Sequence, residues 1–279
     1  MIAPAPEEYR DECLITDATV PSLASGEPYN TDDGLLITAA GQLVPISLVV
    51  TPMVLGGGVA GAVLVFRDIS QQKQVEREHR QTEELLRRIQ RALSELARSP
   101  QVYGGNLQDA FQTITRVAAE CLHVERVSIW FFTGDRSAIQ CAALYQLAMQ
   151  KHSQGMVLRA VDYPKYFQEL DTERIVVADD AQTDSRTAEF TATYLVPLGI
   201  TSMLDVPVRS EGRMVGVICH EQIGPQRQWT LEEQHFAASV ANTAALAIEV
   251  ADRRKAEQAL QTSEGRLMTT VQSTNIGIW

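Results

Sequence analysis

Cys219 and His220 stand side by side in the stretch RMVGVICHE, Arg213 to Glu221. A thiol and an imidazole are common ligands of transition metals. Adjacent residues of a strand point to opposite faces, so these two cannot jointly hold one metal ion. His220 shares its face with Ile218, Gly216 and Met214. If buried there, it needs a hydrogen-bond partner from the protein or from a ligand. Asp205 interrupts the apolar run ITSMLDVPV. An unpaired buried carboxylate is costly, so Asp205 is either paired structurally or faces a cavity. Asp179, Asp180 and Asp184 resemble hard-cation ligands in type, but turns and helix caps account for them, and no metal site is assigned. Cys13, Cys121, Cys141 and Cys219 are scattered and form no CxxC, which fits a reduced, cytoplasmic setting. There is no Gly-rich nucleotide loop and no assignable Ser/His/Asp set, so the residues specify no catalytic site.

The elements that must position these side chains come next. At 279 residues the length suggests about two domains. A net charge of -11 argues against nucleic-acid binding, which rests largely on clustered Lys and Arg. Leu43 to Phe66 carries no charge and is long enough to cross a bilayer, yet it contains Pro45, Pro52 and Gly56-Gly57-Gly58. Two strands joined by a glycine turn explain all of these, so no membrane segment is read here.

Ile69 to Leu96 has no Gly or Pro and is dense in charge. Within it Val75, His79, Thr82, Leu86, Ile89, Leu93 and Leu96 follow the alternating spacing of a coiled coil, which predicts a homodimer seam. Asp68 or Ser70 can cap the start of that helix. Before it, strands are expected at Leu35-Leu36-Ile37, Val44 to Thr51 and Val59 to Arg67, while Met1 to Asn30 has no clear period. After Pro100, Asn106 is a candidate cap for a helix with Leu107, Phe111, Ile114, Ala118 and Cys121 on one face. Strands follow at Arg126 to Phe132 and Ala138 to Tyr145, a helix at Asp162 to Leu170, and a strand at Arg174 to Ala178. A further helix opens at Asp184 or Ser185 and ends before Val196-Pro197. Ile200 to Val208 and Arg213 to Glu221 are strands, the second apolar on both faces and therefore central. Thr230 to Glu233 is a capping box whose helix runs to about Ala251 and beyond.

The segment GLLITAAGQLVPISLVVTPMVLGGGVAGAVLVFRDIS, closing on Asp68-Ile69-Ser70, resembles the C-terminal half of a PAS domain. The order helix, hairpin, mixed middle, two strands and long helix is similar to a GAF domain over about Val102 to Val250. That likeness is carried by Ser128-Ile129-Trp130, Cys141 to Tyr145, DYPKYF, DAQTDSRT, YLVPLGITSMLD and GVICHE. DRRKAEQALQTSEGRLMTTVQSTNIGIW looks like a second signalling helix entering another PAS domain.

The expected fold class is therefore α+β: a GAF-type antiparallel sheet with a helical layer, preceded by a partial PAS meander. The expected domains are 1–70 (half of a PAS domain), 71–100 (coiled-coil linker), 101–250 (GAF) and 251–279 (signalling helix and PAS start). The resemblance implies a ligand pocket opposite the helices, with Trp130, Cys141, Tyr145, Tyr166, Tyr194, Met203, Asp205 and His220 as candidate lining residues. Asp68, Val75, Leu86, Ile89, Leu93 and Leu96 are the candidate relay and dimer residues. No cofactor or ligand is specified. Phytochrome-like GAF domains place a Cys-His pair before Tyr-Leu; here Phe190-Thr191 takes that place before Tyr194-Leu195, which argues against a covalent bilin. A kinase phosphoacceptor His is followed by Glu, Arg and Pro, whereas His79 is followed by Arg80-Gln81-Thr82. The function implied is sensory: a GAF domain that binds a small molecule, or relays a signal through dimeric helices to a histidine kinase or, next, a diguanylate cyclase. The alternatives are a GAF-fold enzyme of the free methionine sulfoxide reductase type and a ligand-free dimerisation spacer.

Overall fold

A computed structural model describes residues 24–38, 40–172 and 175–275, with the side chains of 265 and 267–275 excepted. Expectations for Cys13, for the N-terminal segment up to residue 23, for Arg174 and for residues 276–279 lie outside the described residues. The chain divides into two compact units, one up to Glu84 and one from Leu85 onward, with the division inside a single helix.

The first unit is an antiparallel meander of β1 (Tyr29–Ile37), β2 (Leu43–Leu55) and β3 (Gly58–Asp68). Along β2 every second residue of Ile46, Leu48 and Val50 is buried, giving the sheet one dry face. The β2–β3 turn places Gly56 and Gly57 at φ +61° and +87°. A two-residue hairpin with positive φ at both positions is a glycine turn, which is why this uncharged stretch reverses. No helix among the described residues is long and apolar enough to cross a membrane. At the end of β3, Asp68 accepts a 2.8 Å hydrogen bond from the Ser70 amide and caps α1 (Ser70–Arg98).

The second unit is built on a seven-stranded antiparallel sheet. Its strands are β4 (Arg126–Phe132), β5 (Ala138–Gln146), β6 (Lys151–Ser153), β7 (Val157–Arg159), β8 (Val176–Ala178), β9 (Ile200–Ser210) and β10 (Arg213–Ile223). The order is β6-β5-β4-β10-β9-β8, with β7 also on β5. β10 sits centrally and is buried on both faces. One face carries the C-terminal half of α1, α2 (Pro100–Tyr103), α3 (Leu107–Leu122) and α6 (Leu231–Asn275). The opposite face carries α4 (Pro164–Thr172) and the helical run 188–198.

The caps of the helix layer come from local chemistry. Asn106 accepts from the Gln108 amide at 3.0 Å, and Thr230 and Glu233 satisfy each other's amides at 3.3 and 3.0 Å. The run after Asp184 departs from one regular helix. It is a 3-10 turn at Ala188–Phe190, a π turn at Thr191–Leu195 and α5 (Val196–Leu198), which includes Pro197. Pro197 has no N–H, and within the first turn of α5 that missing donor costs little.

The buried stripe of α1 is Leu85, Ile89, Ala92 and Leu96, all packed into the helix-side core of the second unit. This corrects part of the expected seam. Ile89 and Leu96 are used by their own domain, while Val75 and Leu86 are 58% and 43% exposed and Leu93 is half-buried.

Gly216 is where β10 passes closest to β4. A Cβ there would stand 2.0 Å from the Trp130 carbonyl oxygen. Gly216→Ala is therefore expected to push the two central strands apart and lower stability by about 1–3 kcal/mol or more. Urea unfolding checks this; an unchanged midpoint refutes the close approach.

Candidate functional site

The register of β4, β10 and β9 sets out the chemistry of the face opposite the long helices. Arg126 lies across from Glu221, and Glu221 across from Met203. In the next row Ser128 faces Cys219, and Cys219 faces Asp205. Trp130 and Val217 form the row beyond. Alternation along each strand puts all of these on one side of the sheet.

Two hydrogen-bonded groups result. The buried Arg126 guanidinium donates to Glu221 at 2.7 Å and to the Tyr194 hydroxyl at 3.2 Å, and Tyr194 donates to the second Glu221 oxygen at 2.8 Å. Burial opposes the Arg126 charge, but Glu221 beside it outweighs burial and holds the guanidinium above its usual range. Beside this triangle, the Tyr166 hydroxyl donates to Asp205 Oδ2 at 2.6 Å and lies 3.8 Å from Cys219 Sγ. Asp205 Oδ1 is buried with no partner in the protein. Burial, with Glu221 nearby, raises the Asp205 carboxyl to about 7 although Tyr166 bonds it. Burial also pushes the Tyr166, Tyr194 and Cys219 groups well above their ordinary values. Cys141, whose thiol burial raises to about 12, belongs to the same apolar cluster. These thiols are held protonated, the opposite of what a nucleophilic or redox-active cysteine needs.

The space these residues surround is nearly filled. About 10 Å³ is open, room for roughly one water. Phe190 fills it, stacked on Tyr163 at 4.2 Å and edge-on to Tyr166 at 4.7 Å. The ligand-sized pocket expected opposite the helices is thus closed by aromatic side chains. Phe190 stands at the position that the resemblance gives to a bilin's attachment Cys, and its phenyl ring offers no thiol for such a bond.

Of the expected lining residues, Trp130, Tyr166, Tyr194 and Met203 border this space, Asp205 bonds to it through Tyr166, and Cys141 lies in the surrounding cluster. Tyr145 and His220 do not. A bulge in β5 places Ala143 across from Ile129 but Cys141 across from Trp130, with Ala142 left over. The alternation slips there by one residue, and Tyr145 turns to the helix side, where its ring lies 4.7 Å from that of His152. His220 pairs with Leu204, whose side chain packs among the helices. Its Nδ1 is 2.9 Å from the Leu204 carbonyl oxygen, and burial lowers its pKa to about 4. It is a neutral core residue of the helix face. Arg126 and Glu221 were missed from sequence. The signal was present: one begins RVSIWFF and the other ends RMVGVICHE, so antiparallel pairing brings the two charges together. Two of the acidic trio have structural partners: Asp179 accepts from the Trp229 amide, and Asp184 pairs with Arg186.

The family model for the GAF domain matches residues 106–248. The chain belongs to the GAF domain family. No curated protein matches it. Among solved structures, it is similar to the GAF domain of an Acinetobacter phosphoenolpyruvate-protein phosphotransferase (17% identity, 62% of this chain and 97% of that one, TM-score 0.47). It is also similar to the Thermosynechococcus elongatus PixJ GAF domain (19%, 56% and 92%, 0.46) and to residues 122 to 287 of a methyl-accepting chemotaxis protein (17%, 59% and 99%, 0.49). In this GAF domain the sheet face opposite the long helices carries a closed aromatic core with two buried polar groups.

Proposed function

We propose that this chain is the sensory and regulatory part of a bacterial signal-transduction protein. In it a PAS-like meander, a linker helix, the GAF domain and a second signalling helix pass a conformational signal to an output domain outside this sequence. A histidine kinase is the first candidate output and a diguanylate cyclase the next. The observation that carries this reading is that α1 enters and the 45-residue α6 leaves through one core. Leu85, Ile89, Ala92 and Leu96 of α1 are buried in the same helix-side cluster as Phe236, Val240 and Ala244 of α6. A rearrangement of the GAF domain therefore bears on both helices. The protonated, buried thiols on the opposite face speak against the sulfoxide reductase alternative.

Val75, Leu86 and Leu93 remain as an apolar line on α1 for a second copy of the helix. Leu86→Asp with Leu93→Asp is expected to shift the protein toward monomer with the domain still folded. Burial of each against a partner is worth about 1.5–3 kcal/mol. Leu96→Asp, inside the domain's own core, is expected to unfold it instead. Sedimentation of the double variant decides: a full dimer rejects the seam. In a parent protein with its output domain, deleting Arg80 to Glu83 changes the phase of the helix, whereas deleting Arg77 to Glu83 keeps the heptad. The first is expected to disturb output and the second largely to spare it; equal output from both rejects the relay.

A further inference from the structure

A large cavity in the GAF domain lies mainly on the helix side of the sheet, though Phe132 and Cys141 of its wall also pack with the aromatic core. Its volume is about 580 Å³, within the range of small-molecule sites. Three walls form it: Phe111 on α3, Phe131 and the β5 bulge at Ala142 on the sheet, and Ile248 on α6. The Phe111 and Phe131 rings lie 5.2 Å apart and tilted by 35°, presenting an aromatic surface. Among the described residues, none that lines the cavity is charged. Gln108, Gln140 and Gln154 line it together with Thr133, and among the described residues the three side-chain amides have no hydrogen-bond partner in the protein.

We infer that this cavity is a binding site for an uncharged, planar heteroaromatic molecule with amide-like edges. Each part of that description has its own cause. The aromatic walls favour a flat π-system. The absence of any lining charge means that a ligand ion would be desolvated without a counter-charge. A primary amide offers a donor and an acceptor side by side, matching the alternating N–H and C=O of a lactam or nucleobase edge. The site also has a route to the rest of the chain. Ile248 lies on α6 six residues before Arg254, whose guanidinium donates to the Gly104 carbonyl, and Leu107 of the wall opens α3. A molecule in the cavity thus touches the helix that leaves the domain. The inference concerns binding alone and stands whether or not the helices relay a signal.

Lumichrome, an uncharged tricyclic dione with intrinsic fluorescence, is a suitable probe for the full chain. Saturable binding read by fluorescence anisotropy is expected. Gln140→Leu with Gln154→Leu, both on the exposed rim, should weaken it about tenfold through loss of the edge contacts. Ala142→Trp, which fills the cavity, should abolish it, while exposed Arg213→Ala should leave it unchanged. Circular dichroism and melting establish that each variant is folded; if Ala142→Trp unfolds, the rim variant carries the test. The inference is overturned if the folded protein shows no saturable binding, or if binding persists unchanged in the rim variant. It is also overturned if the cavity variants alter the sedimenting mass and leave lumichrome binding unchanged, since the cavity would then hold a second copy of the chain.

Discussion

Replacing Arg126 by Met is expected to destabilise the GAF domain by about 3–5 kcal/mol, because it leaves Glu221 buried without its counter-charge. Both side chains are almost wholly buried, and among the described residues the other bond to the Glu221 carboxylate comes from Tyr194. Glu221→Gln alone should cost a similar amount, since it strands the guanidinium. The double variant Arg126→Met/Glu221→Gln removes both charges and is expected to be more stable than either single one. The comparison separates the net worth of the pair from the penalty of breaking it. Urea unfolding of the four proteins measures it. Single variants that lose less than about 1 kcal/mol would mean that water reaches the group and the burial is not effective.

The second large effect is a pH dependence carried by Asp205. In the folded chain its carboxyl is raised to about 7 from 3.8, with burial first among the causes. Between those values the unfolded chain has released the proton and the folded chain keeps it, so the folded state binds more protons and stability falls as pH rises. The full difference is about 4 kcal/mol, from about 1.4 kcal/mol for each tenfold change in proton affinity. His220 works in the opposite direction. Its pKa is lowered to about 4 from 6.5, so the unfolded chain takes up a proton first and stability falls as pH drops through that window. Between about pH 4 and 6.5 the two largely offset each other; above it Asp205 acts alone.

Asp205→Asn keeps an acceptor for Tyr166 and removes the titration. Relative to the parent, it should gain about 2–4 kcal/mol at pH 8 and little at pH 4.5. The parent should lose stability from pH 6 to pH 8, and the variant should not. Denaturant midpoints across that range test this, and parallel curves for the two proteins would reject the raised carboxyl. The groups that face Asp205 are the Tyr166 hydroxyl, the Cys219 thiol and the Glu221 carboxylate, none of which supplies a positive charge. Burial, with no positive charge among these neighbours to offset it, is why the carboxyl holds its proton.

Local hydrogen bonding made much of this protein legible in its sequence. Asn106 before its helix, the reciprocal Thr230 and Glu233 cap, and the Gly56-Gly57 turn are decided by a few neighbouring residues, and they form as read. Strand alternation likewise located β4, β9 and β10, and the residue order carried the GAF resemblance that the family model shows over 106–248. Which way a side chain faces was a different matter. One extra residue at Ala142 reverses the faces of β5 and sends Tyr145 to the helices, and a bulge leaves no periodic signature in so short a strand. His220 and Cys219 were equally eligible to line the pocket until the packed helices settled which face was which.

On α1 the sequence offers two adjacent apolar lines. Burial in the helix-side core selects Leu85 and Ala92, leaving Leu86 exposed and Leu93 half-buried at its edge. The resemblance implied aromatic residues around the pocket but not that Phe190 would help to close it. Phe190 ends the 3-10 turn at Ala188–Phe190 and lies against Tyr163 and Tyr166 across a separation of more than twenty residues. The sequence by itself determined the elements, their caps and the family, since those rest on nearest-neighbour chemistry. Only the tertiary structure decided which face is closed, which charges meet and where a cavity is left, because those depend on how non-local surfaces fit together.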